Sequence, residues 1–325
     1  MCGDNSGTVR DCKNTGSVSG ENFVGGVCGI NLGTIKSCYN TGSVHGTDIY
    51  VGGVCGNSYR VTNTNYCYYL SDTATRGIGN LMADEKDKAE KMFKEQFESG
   101  EMAWLLNGKG SGEQVWGQQL GIDPSPVPGS AYKVIKAAQG DNDTYWATFS
   151  NPTNDVTLSV PSDRSLKVYN ATVSGGKLTL TQRNDQVAKE EGVLLKTDGE
   201  YVNAKANETN ELAKASSYEN HLVATPAEAK TVTAAAGCKL YRLTYNKAEK
   251  KEGLGFYLGV DDGKSLKATP GKAYLKVSEN EAKDPSSAAL TRSFVFGGGS
   301  ETTGIDEITI MGTDVQRHGT IEGIF

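Results

Sequence analysis

The sequence predicts a mainly β protein: a short parallel β-solenoid of about three coils with a small helical cap, followed by an antiparallel β-sandwich-like domain. Three observations predict it. Residues 2–54 hold two copies of one passage, and a third copy begins at Cys55. Forty glycines and fifteen tyrosines with a hydrophobic fraction of 37% describe a turn-rich chain rather than a helical bundle. From Ala131 onward, strand-sized runs with period-two patterning alternate with Asn, Asp, Gly and Pro turns. At 325 residues there is room for two or three domains, each with its own core.

Residues 2–27 and 28–54 align with one residue inserted before Tyr50, and 16 of 26 positions are identical. The third copy starts at Cys55-Gly56-Asn57 and then decays, keeping Cys67. A short fixed period with an atypical last copy is the mark of a stacked array. Within each copy, β-prone runs such as "TIKSCYN" and "YVGGVC" alternate with Gly, Asn and Thr-Gly corners. One copy is long enough for one coil, and equivalent side chains then stack about 4.8 Å apart along a parallel ladder.

Stacking puts Cys2, Cys28 and Cys55 in one column and Cys12, Cys38 and Cys67 in another. The reading is packed core thiols, with one or two disulfides as the alternative, since stacked neighbours fall in the Cα range of about 4.4–6.8 Å that a disulfide needs. Spacings of ten to seventeen residues are unlike those of a zinc site, and no metal or other cofactor is expected.

The pattern VGGVCGxNxGTI…CYNTGSVxG resembles the GLUG repeat, with Val27 and Val54 where the family name implies leucine. That family occurs in tandem in bacterial surface and secreted proteins, including large immunoglobulin-A peptidases, where it is an accessory region. The resemblance covers residues 2 to about 70 and implies an extracellular or cell-surface setting, not catalysis. Met1 interrupts a repeat unit, so the chain is expected to be a fragment whose signal and sorting regions are missing.

Residues 84–98 are expected to be helical, with Ala89, Met92, Phe93 and Phe97 on one face, and a second short helix is expected after Ser99. These helices are the expected cap of the solenoid, and residues 71–130 the cap and linker. Phe97 to Asp123 is similar to a segment that follows such repeats in Bacteroidetes surface proteins. Residues 131–300 are expected to form the β-sandwich-like domain, similar to a non-catalytic domain near the C-termini of such proteins. Residues 301–325, beginning "ETTGIDEI", are expected to be a partly disordered tail.

Candidate chemistry is sparse. The chain has three histidines, His45, His221 and His318, and no G-x-S-x-G elbow. The glycine-rich "GGGSETTG" at 297–304 has Ile305-Asp306 where a phosphate loop needs Lys-Ser/Thr. Asp141-Asn142-Asp143 reads as an Asx-rich turn, since Tyr145 and Trp146 break a calcium-loop pattern. Trp104, Trp116, Tyr145 and Trp146 are the candidates for stacking on a sugar, with core packing the favoured reading of Trp104 and Trp116. Asp72-Thr73-Ala74 fits an O-glycosylation acceptor resembling the Bacteroidetes motif, with Thr73 the modified residue in an expected exposed connection.

A formal charge of −6 without a basic stripe argues against nucleic acid, and no run approaches the roughly 18 apolar residues of a membrane span. The expectation is a non-enzymatic secreted or cell-surface protein with an adhesin-like structural or binding role. Its partners would be host or bacterial surface glycans or proteins. The alternatives are a glycan-binding accessory module and the accessory region of a larger peptidase or glycan-degrading enzyme.

Overall fold

The computed structural model describes residues 1–47, 50–59, 63–80, 87–110, 113–140, 143–245 and 253–296, and the backbone of 302–304 and 307–313. The chain divides into two compact units, Met1–Lys136 and Ala137–Phe325.

Each coil of the first unit is a circuit of short strands and tight turns. One sheet stacks Cys2–Asn5, Cys28–Asn31, Cys55–Ser58 and Ile78–Asn80 in parallel. A second stacks Thr8–Arg10, Thr34–Lys36 and Thr64–Asn65. A third stacks Lys13–Asn14, Tyr39–Asn40, Cys67–Leu70 and Ala89–Met92. Shorter ladders pair Val18–Gly20 with Val44–Gly46 and Val24–Gly25 with Val51–Gly52. This is the parallel β-solenoid expected from the repeat, and it extends to residue 92.

The coil turns sharply because the same corner recurs. Asp11, Ser37 and Tyr66, each just before a cysteine, have φ of 55°, 52° and 52°. A left-handed non-glycine residue is costly, and it persists where the surrounding ladder leaves no alternative. The corner turns Cys12, Cys38 and Cys67 inward, where they join Cys28, Cys55, Val27, Ile35, Val54, Ile78 and Ala89 in one core. Cys2 faces Cys28, and Cys28 faces Cys55, in direct register.

Buried asparagines run beside the cysteine columns. Asn5 Nδ2 donates to Asn31 Oδ1 at 2.7 Å, and Asn14 Nδ2 donates to Asn40 Oδ1 at 2.8 Å. Asn14 and Asn40 each also accept from the backbone N–H two residues on, of Gly16 and Gly42 at 3.1 Å, closing an Asx turn. Each buried amide is thus satisfied once within its coil and once between coils.

Residues 84–98 do not form one helix. Residues 81–86 lie outside the described residues, and Ala89–Met92 is a strand whose Ala89 continues the Cys67 column. Asp87 fixes this last rung by accepting from the backbone N–H of Gly77, Ile78 and Ala89. The helices are Lys94–Glu98 and Glu101–Leu106. Ser99 Oγ accepts from the Glu101 N–H at 3.2 Å, while Gly100 supplies the left-handed turn at φ 95°. Phe97, Met102, Leu105 and Leu106 pack with Tyr39, Tyr68, Met92 and Trp116. Residues 71–136 therefore belong to the same compact unit as the repeats.

The second unit is antiparallel. "VSGGKL" is a two-residue hairpin: Leu166–Ser174 and Lys177–Arg183 pair across Gly175 and Gly176, whose φ of 56° and 70° suit a primed turn. Val193–Thr197 and Tyr145–Phe149 extend the sheet on one side. On the other, the sheet continues through Glu307–Thr313, Ser293–Val295, Leu254–Leu258, Cys238–Tyr245 and Ala273–Ser278 to Leu222–Ala224. Residues expected to lie in a C-terminal tail thus supply a strand to the middle of the sheet. The sheet folds around one core in which Trp146 stacks on Phe296 (4.3 Å) and Tyr241 tilts against Phe294 (5.4 Å). A smaller sheet holds Gln186–Val187, Val156–Ser159 and Tyr201–Ala206.

Residues 204–216, a polar stretch, begin in strand Tyr201–Ala206 and continue as a loop fixed by two buried carboxylates. Asp155 accepts from the backbone N–H of Lys189 and Leu212. Glu191, 4% exposed, accepts from Arg183, Ala188 and Ala215. Backbone donors hold the Asp155 carboxyl below its usual range, led by the Leu212 N–H.

Candidate binding surface

The candidate sugar-stacking residues are divided between the two units, Trp104 and Trp116 in the first and Tyr145 and Trp146 in the second, and serve different ends. Trp116 is 2% exposed and tilts against Tyr39 at 5.3 Å. Trp146 is also 2% exposed, inside the second unit's core. Neither ring has a face for a sugar. Trp104 and Tyr145 are half-buried, and the Lys136 ammonium sits 4.4 Å from the Trp104 ring centroid, a cation–π geometry.

Thr73 is 7% exposed rather than on an open connection. Its hydroxyl donates to the Leu70 carbonyl at 2.7 Å, and its own carbonyl accepts from the Val44 N–H at 3.0 Å. It is a turn residue of the stack.

The cysteine columns hold free thiols, and burial and neighbouring thiols favour the protonated form of Cys2, Cys12, Cys28 and Cys38. Burial, aided by the Cys28 contact, pushes Cys2 up to about 11. Contact with Cys55 and burial push Cys28 higher still, and contact with Cys67 and burial do the same for Cys38. Among the described residues, no group of three or more His, Cys, Asp or Glu side chains has a metal-holding arrangement.

His45 is exposed on a repeat corner, opposite Ser19 of the first coil. His221 accepts from the Val173 N–H through Nδ1 at 3.0 Å, with a Glu281 oxygen 3.9 Å from Nε2. His318, residues 141–142 and residues 297–301 lie outside the described residues.

A surface that spacing alone does not reveal stands on the solenoid. Phe23 and Tyr50, one coil apart, stack with centroids 5.1 Å apart and planes inclined by 8°. Both are half-buried, and Phe23 has φ 54°, a left-handed corner. Leu32 (52% exposed), Tyr59 (67%) and Tyr66 (41%) are further outward apolar side chains on the coils. The signal was the alignment itself, which sets Phe23 opposite Tyr50 once the inserted residue is placed before it. Compared with protein-family models, curated proteins and solved structures, the chain gives no match.

Proposed function

We propose that this is a non-enzymatic, adhesin-like protein of the cell surface or the extracellular space, and that the solenoid carries its binding surface. The Phe23–Tyr50 stack is the observation that carries this reading. Two stacked aromatic rings in adjacent coils, that of Phe23 on a costly left-handed corner, make a rigid, partly exposed apolar strip, and such strips suit recognition because little side-chain freedom is lost on binding. The resemblance of the repeats to those of bacterial surface proteins supports the setting. The test is retention of labelled full chain on intact cells, read by flow cytometry. The Phe23→Ser/Tyr50→Ser double variant is expected to lose at least tenfold, and unchanged retention by the folded variant would refute the reading.

A glycan-binding accessory role is the second reading, supported by the half-buried aromatics Trp104 and Tyr145 and by the same strip. Binding to printed oligosaccharides, lost in the double variant, would select it over recognition of a surface protein.

A further inference from the structure

We infer that the ligand of the Phe23–Tyr50 strip is an acidic glycan: one sugar ring lies on the face of Tyr50 turned away from Phe23, and its carboxylate pairs with Arg76. The inference rests on the strip being the binding surface, and names what that surface takes.

That face is open because the third coil omits a corner. Val18 N–H donates to the Ser43 carbonyl, and Val44 N–H donates in the same way to that of Thr73, so Thr73 holds the place of Ser43 in the next coil. Val54 N–H donates to the Gly77 carbonyl, and Cys55 pairs with Ile78, so Gly77 holds the place of Val54. The second coil travels from Ser43 to Val54 through residues 44–53, whereas the third goes from Thr73 to Gly77 through Ala74, Thr75 and Arg76 alone. The excursion that carries Phe23 in the first coil and Tyr50 in the second thus has no counterpart in the third. The ladders show the same step. Val18–Gly20 pairs with Val44–Gly46 and Val24–Gly25 with Val51–Gly52, and among the described residues neither ladder gains a third strand. Phe23 covers one face of Tyr50, and among the described residues no second ring stacks on the other. The result is a ledge with an aromatic floor.

Arg76 stands at the back of this ledge. It is exposed, its Nη1 donates to the Gly79 carbonyl at 3.4 Å, and among the described residues it forms no ion pair. Gly79 in turn lies against the backbone of Tyr50, where a Cβ on the glycine would meet the Tyr50 carbonyl carbon at 2.6 Å. An unpaired cation beside an aromatic floor, on a chain of net charge −6, selects an anionic ligand by charge complementarity. A guanidinium takes a carboxylate with two parallel N–H donors, and an open aromatic face takes the apolar C–H side of a sugar ring. An added peptide strand fits the ledge poorly. Val44–Gly46 is three residues long, and its first N–H is already given to Thr73, which leaves little edge to template a strand.

The test is titration calorimetry of the full chain with sialyllactose and with tetragalacturonate, a sialate and a uronate source of the carboxylate. Lactose and methyl-esterified tetragalacturonate are the neutral counterparts. At least one acid is expected to bind about tenfold more tightly than its counterpart, the worth of one charge-assisted pair. Arg76→Gln, a change to an exposed side chain, is expected to erase that preference with thermal unfolding unchanged, and Tyr50→Ser to abolish acid binding. Trp104→Ala is expected to keep both, which separates the strip from the other partly buried aromatics. Binding of neither acid, equal affinity for acid and counterpart, or an acid preference that survives Arg76→Gln would overturn the inference. Where the Phe23→Ser/Tyr50→Ser variant still loses retention on cells, the binding role of the strip stands without it. Acid binding by the folded double variant as tight as that of wild type would overturn both.

Discussion

Asn14 donates a 2.8 Å hydrogen bond to the Oδ1 of Asn40, the residue 26 positions further along the chain, and the two side chains close identical turns in adjacent coils. The sequence period thus reappears as a contact. Asn40 is 0% exposed and serves both coils, because it also donates to the Gly42 carbonyl at 2.7 Å. Asn40→Ala removes the acceptor of Asn14 and leaves the Gly42 N–H without its partner. The expected loss is about 2 kcal/mol by chemical denaturation, from buried polar groups left unpaired.

Trp116 and Trp104 are predicted to part company on truncation. Trp116→Ala empties the site between Tyr39 and the helices, and is expected to cost about 3–5 kcal/mol, as large core truncations do. Trp104→Ala loses a half-buried ring and a cation–π contact, at about 1 kcal/mol. Thermal unfolding of the two variants checks the difference; a costlier Trp104 change would reassign the packing.

His221 predicts a pH dependence. Burial holds its pKa below the ordinary 6.5, with Glu281 opposing the shift. The unfolded chain then binds a proton more readily than the folded one. The stabilising contribution is present in full above the unfolded value and is lost as pH falls through the folded one, and a protonated ring cannot accept from the Val173 N–H. Stability is expected to decline between about pH 7 and pH 5, and His221→Gln to flatten that slope. Equal slopes in both proteins would remove His221 from the account.

Glu191 gathers three donors, one of them Arg183 at 2.6 Å. Glu191→Ala leaves the guanidinium without this partner and frees the anchor at Ala215, so a loss of about 3–5 kcal/mol is expected. Faster amide exchange across residues 207–216 is the accompanying sign; unchanged exchange would mean the loop is held elsewhere.

The solenoid was legible because a repeat in sequence becomes a column in space, and the cysteines marked the register. Its last rung was not. Ile78-Gly79-Asn80 copies Cys55-Gly56-Asn57 with isoleucine in the thiol's place, a substitution that keeps the core apolar and hides the repeat. Ala89, Met92, Phe93 and Phe97 have helical spacing, yet Ala89 and Met92 pair in parallel with Cys67 and Leu70, so the waiting ladder overrode local helix propensity. In the second unit the period-two runs became strands where expected, since alternation alone defines a half-buried strand. The Phe23–Tyr50 surface depended on a left-handed corner, a backbone property that residue identity at position 23 does not announce.

The proposed binding strip rests on the coils being stacked, and one glycine tests that directly. A Cβ on Gly42 would stand 1.9 Å from the carbonyl oxygen of Gly16, one coil away. Measured by urea denaturation, Gly42→Ala is expected to lose about 3 kcal/mol, from an overlap that the stack has no room to relieve. A Gly42→Ala protein as stable as wild type would contradict the stacked arrangement.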